Sequence, residues 1–184
     1  MPCTRSSGGT LTCTNTQTPE RGDGRRSSKD ALMQEHNLQD LSDLGYRVFT
    51  CDISERHRAT AMVLEFCGVY RPGSAGTGDG EFMRCITLVS LSAWEAHGIV
   101  FDLRELSYEW GDNIWAMYGR AVRPSGLEDR PYVTIASEKS WPGLSTCTSI
   151  VGPVVWTLDD ALKEITRRTQ SFLDDLYAPF VSSG

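Results

Sequence analysis

A chain of 184 residues fits one domain, because single hydrophobic cores commonly span roughly 100–200 residues. With 40% hydrophobic and 23% charged residues it has ordinary globular usage, which excludes a wholly disordered or fibrous chain. A formal charge of -6 repels phosphate backbones on average, so nucleic acid is not expected as a partner and a protein or small molecule is.

Residues 1–29 are rich in Ser, Thr, Gly, Pro and Arg and hold little to bury. They read as a disordered tail, with the folded domain over 30–184. Between Ser28 and Leu44 the spacing of Leu32, Leu38, Leu41 and Leu44 predicts a helix stopped by Gly45. Two β-rich runs, Tyr46 to Ile53 and Ala59 to Tyr70, flank a charged turn and predict an antiparallel hairpin. In the second run Met62, Leu64, Phe66 and Tyr70 share one face while Val63, Cys67 and Val69 share the other, as in a central strand covered on both sides. The Gly-rich stretch Arg71 to Gly80 reads as a loop, and Asp79 as the N-cap of a helix with Phe82, Ile86, Val89 and Ala93 inward.

His97-Gly98 ends that helix, and Ile99-Val100-Phe101-Asp102-Leu103 has the pattern of a buried parallel strand. A helix with Ile114, Met117 and Ala121 inward follows, broken by Pro124-Ser125-Gly126, and Tyr132 to Ala136 forms the next strand. After a short helix over Trp141 to Ile150, Val154-Val155-Trp156 is a last brief strand. Thr157-Leu158-Asp159-Asp160 is a capping box with Asp in place of Glu. It opens a helix whose Leu162, Ile165, Phe172, Leu173 and Leu176 fall on one stripe. Strand alternating with helix implies an α/β fold: a single domain with a mixed, mainly parallel sheet and flanking helices.

No apolar run approaches the ~20 residues of a membrane span, and no apolar leader stands near Met1, so a cytoplasmic chain without a membrane partner is expected. Arg25-Arg26 is followed by Ser27-Ser28-Lys29-Asp30 where a twin-arginine signal needs an apolar segment. Cys3, Cys13, Cys51, Cys67, Cys85 and Cys147 show no CxxC pair or metal-ligand spacing, and read as reduced, small buried hydrophobes.

The strand Leu64-Glu65-Phe66-Cys67-Gly68 with its internal glycine, the helix after it and the run Gly98 to Leu103 stand in an order that resembles the STAS domain. That module occurs in anti-sigma-factor antagonists and sulphate-transporter tails. Tyr132 to Ser137 is similar to the family's next strand, and Val155 to Leu162 to its closing strand and helix, so the resemblance spans about residues 46–176. It implies a STAS-like fold and a non-enzymatic regulatory or scaffolding role exercised by binding a protein. Members that act as phosphorylation switches carry Asp-Ser at the start of the helix after the "DL" strand, where a phosphate adds about two negative charges. The matching stretch here is Glu109-Trp110-Gly111-Asp112, with Gly111 at the serine.

The glycines from Gly73 to Gly80 open a helix where backbone amides could cradle a phosphate, but the P-loop and dinucleotide spacings are absent. Asp102, Glu109 and Asp112 could gather beyond one strand and hold a hard cation, although a solvated role beside a helix N-terminus is the simpler expectation. Of the histidines, His36, His57 and His97, the last reads as a cation favouring a helix C-terminus. Cys147 is the most exposed-looking thiol, yet no nucleophile signature frames it. No cofactor and no metal are expected.

Trp110, Trp115 and Tyr118 are denser than an amphipathic helix requires. Glu109, Trp110, Asp112, Trp115 and Tyr118 are therefore the expected partner-binding residues, for a protein partner or a second copy of the chain. The rival expectation is a small enzyme or ligand-binding α/β domain using the Gly-rich loop 73–80 and the carboxylates near Asp102.

Overall fold

The computed structural model describes residues 34–54, 58–111, 113–118 and 130–181. Of a first unit, Met1–Asn37, only 34–37 are described, without regular secondary structure; the expected tail over 1–29 lies outside the described residues. The second unit, Leu38–Gly184, carries the α/β fold.

β1 (Gly45–Ser54) and β2 (Ala59–Val69) pair antiparallel, with Arg47 opposite Glu65 and Phe49 opposite Val63. The alternating pattern of two β-rich runs produces the hairpin it predicts. β3 (Gly98–Ser107), β4 (Tyr132–Ile135) and β5 (Val154–Val155) then add in parallel, giving a five-stranded mixed sheet in the order β1-β2-β3-β4-β5. Successive side chains of a strand point to opposite faces. Met62, Leu64, Phe66, Ile99, Phe101 and Leu103 therefore pack into one core layer, and Ala61, Val63, Val100, Val133 and Ile135 into the other.

α1 (Thr77–Trp94) supplies the first layer with Phe82, Met83, Ile86 and Leu91. α2 (Trp141–Leu144) adds Leu144 to the same layer. α3 (Leu158–Val181) crosses the second face and touches all five strands. The hydroxyl of Thr157 accepts the Asp160 amide at 3.1 Å and donates to the Asp160 carboxylate at 2.7 Å, so the capping box starts this helix. Ala161, Ile165, Thr169 and Leu173 are its buried stripe, while Leu162 and Phe172 are half-buried and Leu176 is exposed. Small residues at that stripe let the helix lie close: a Cβ on Gly98 would stand 2.4 Å from Thr169 Oγ1.

Four expectations are corrected. The helix expected over Ser28 to Leu44 is, among the described residues, only a 3-10 turn over Leu38–Asp40. Leu44 enters the core whereas Leu38 and Leu41 stay exposed, so these leucines never share a helical face. On α1 the inward stripe is Phe82, Met83, Ile86, Thr87, Ser90 and Leu91, which leaves Val89 and Ala93 in water. Buried Thr87 satisfies its hydroxyl on Met83 O at 2.8 Å, so a polar residue occupies a core position. After β3 the described helical structure is a 3-10 turn over Ile114–Met117, and Ala121 lies outside the described residues. The helix expected over Trp141 to Ile150 is four residues of α2 continued by a 3-10 turn over Ser145–Cys147.

Candidate functional site

The Gly-rich stretch is where separate parts of the chain meet. A Cβ at Gly76 would stand 2.3 Å from both Arg71 O and the Tyr70 ring, and one at Gly80 would stand 2.6 Å from Asn113 O. Only hydrogen in place of a side chain permits such approach, so these glycines serve close packing at the start of α1. Nearby, Tyr70 and Tyr108 meet edge to face at 5.1 Å, and the Tyr108 hydroxyl donates to Gly111 O at 3.0 Å.

Asp79 is not the N-cap that the sequence suggests. It lies in the first turn of α1, fully buried, and accepts from four donors. The Ser42 hydroxyl reaches Oδ1 at 2.5 Å, the Arg71 amide Oδ2 at 2.8 Å, and the Arg71 guanidinium both oxygens at 2.7 and 3.0 Å. Burial works against the charged carboxylate, but the hydrogen bonds from Arg71 and Ser42 outweigh it and hold the pKa below the usual Asp value. The carboxylate thus ties the first turn of α1 to Ser42 and Arg71. Arg71 also donates to Leu41 O at 2.6 Å, tying the segment before β1 to the same point.

The predicted partner-binding residues divide. Trp110 is 60% exposed and Trp115 48%. Between them, the turn is held to α1 by buried Ile114, Ala116 and Met117 and by Asn113 Nδ2 donating to Glu81 Oε1 at 3.1 Å. Glu109 is exposed, and Asp112 lies outside the described residues. Tyr118 is a correction: its ring packs on Phe101 at 4.9 Å and Tyr132 at 5.7 Å, its hydroxyl accepts from Thr134 Oγ1 at 3.2 Å, and burial pushes its pKa up. The turn stops at Met117, so Tyr118 heads toward β4 instead of continuing an exposed helical face.

Asp102 and Glu109 do not gather. Asp102 is buried within β3 and paired with Arg104, Nη2 to Oδ2 at 2.6 Å and Nε to Oδ1 at 2.9 Å. Glu65 stands beside Asp102 in the β2–β3 register and accepts from Arg47 across the hairpin. Two ion pairs, Arg47 with Glu65 and Asp102 with Arg104, therefore run over three strands with their carboxylates side by side and their guanidinium groups outside. Sequence reasoning missed them because only the strand register brings these residues together. Among the described residues no group of three His, Cys, Asp or Glu side chains could hold a metal ion.

His97 follows the end of α1, where its amide donates to Thr60 O at 2.8 Å and its Nδ1 lies 3.4 Å from the Thr60 amide, so the residue is tied to the start of β2. Cys51, Cys67, Cys85 and Cys147 are free thiols and half-buried, less deeply placed than small core hydrophobes. Cys3 and Cys13 lie outside the described residues. No described helix is long and apolar enough to cross a membrane. No protein-family model matches this chain, and no curated protein or solved structure is significantly similar to it.

Proposed function

We propose that this chain is a non-enzymatic, STAS-like regulatory or scaffolding module that docks a protein partner on the surface bearing Trp110 and Trp115. The observation that carries this reading is the contrast between the two half-exposed indoles and the buried residues of the same segment, Tyr108, Ile114, Ala116 and Met117. Large aromatics on a pre-formed support are efficient anchors, since little is ordered when a partner covers them. The segments that carry the STAS resemblance fall in order on β2, α1, β3, β4, β5 and α3, which supports it further. Gly111, at the family's serine, lies where a Cβ would press to 3.1 Å from the Tyr70 ring. Docking is therefore not switched by a phosphate at that position. Glu109 and Asp112 flank Trp110 in sequence and suit a partner with a basic patch, the charges mainly setting encounter rate.

The test combines capture and titration. A partner recovered from native lysate is titrated with the wild type and with Trp110→Ala and Trp115→Ala. Each indole contributes about 2 kcal/mol to binding, the scale of an interface hot spot, and neither variant moves the melting temperature much. If both variants bind as the wild type does, docking lies elsewhere. Should the chain prefer its own copy, the same variants shift the monomer–dimer equilibrium in sedimentation.

A further inference from the structure

We infer that the groove between the start of β4 and the outer side of α3 is a binding site for a small phosphate-bearing molecule. It lies at the N-terminal end of β4, on the opposite edge of the sheet from Trp110. Its volume of about 540 Å³ falls within the usual range for small-molecule sites. Arg130, Arg167 and Arg168 line it together with one carboxylate, Asp175, in a chain whose formal charge is -6.

The arginines are not equally satisfied. Glu164 takes Arg167 through Nε at 2.9 Å and Nη2 at 2.7 Å, and Arg168 through Nε at 2.7 Å. The hydrogen bonds from Arg167 and Arg168 hold Glu164 down at about 2, so it stays ionised and committed to them. Arg130 has no such partner. Its Nη1 donates to Ala96 O at 2.5 Å, and among the described residues no carboxylate pairs with it. Burial lowers its pKa, and Glu95 offsets this only through its field. A half-buried guanidinium held by a neutral carbonyl is costly unless an anion completes it. The forked donors of Arg130, with the outer nitrogens of Arg168, match the oxygens of a phosphate. Tyr132 and Phe172 line the same groove and offer apolar faces to an organic group beyond the phosphate.

Calorimetric titration with phenyl phosphate and with inorganic phosphate tests the site. Both are expected to bind, and tighter binding of phenyl phosphate assigns the organic part to the ring walls, whereas equal binding assigns the site to free phosphate. Arg130→Gln and Arg168→Gln should each weaken binding by about tenfold, the scale of a lost charge-assisted pair. Ser171→Glu places a carboxylate in the groove without removing a contact and should abolish binding. It decides the matter if Arg130→Gln fails to fold. Lys139→Gln, whose lysine pairs with Glu105 at 3.1 Å, serves as the unaffected control. Absence of binding at millimolar ligand, or binding indifferent to Arg168→Gln and Ser171→Glu, overturns the inference.

Discussion

The indole of Trp110 lies over Gly73 so closely that a Cβ there would stand 3.0 Å from Cη2. Gly73 also has a φ of +60°, where an L side chain is strained regardless of space. Gly73→Ala should therefore cost about 1–3 kcal/mol and tilt Trp110 away from its resting place. Urea denaturation measures the first effect and partner titration the second. A variant as stable as the wild type would show that the indole does not depend on this glycine.

Asp79 should make stability depend on acidity. Its folded pKa lies below the unfolded value of about 3.9, so its contribution is fully present above that value and is lost as pH falls through the folded pKa. Asp79→Asn should cost about 2 kcal/mol at pH 7, less than a fully buried pair because Arg71 is half-exposed. The gap between variant and wild type should narrow toward pH 3. Denaturant midpoints at several pH values report this, and a gap independent of pH contradicts an ionised Asp79.

Phe101 is buried in β3 and packs edge to face on both Tyr118 and Tyr132. Phe101→Ala should cost about 3–5 kcal/mol, the penalty for removing a large aromatic from a core. Equilibrium unfolding gives the number directly. A loss below about 1 kcal/mol, the scale of a surface change, is incompatible with a central strand.

At the other end of the sheet, Thr157→Ala removes the acceptor of the Asp160 amide. The expected loss is about 1 kcal/mol, with hydrogen exchange quickened in the first turn of α3 and unchanged in α1. Equal quickening in both helices would mean that the effect is global rather than a lost cap.

Much of the fold was legible because period-two and period-3.6 patterns are written in residue type. The hairpin, β3, β4 and α3 follow from them, as do buried Val100 and Phe101. What failed depends on contacts that no local pattern encodes. Thr87 and Ser90 take inward positions on α1, the Thr87 hydroxyl satisfied on Met83 O, while Val89 faces the surface. Asp79 looks like a cap until Arg71 and Ser42 are brought to it. Trp115 was read correctly as exposed, but Tyr118, three residues on, was not, because the turn ends between them.

The passage of α3 across all five strands also orders the protein's assembly in time. Among the described residues every strand precedes α3 in the chain, and only the β1–β2 hairpin joins strands that are neighbours along the chain and antiparallel. The parallel pairs must close long loops before any contact rewards them, which slows their formation. Until α3 docks, Val63, Val100, Val133 and Ile135 form one open apolar face. A nascent chain paused at this stage is a natural client for chaperones and the species most prone to aggregate.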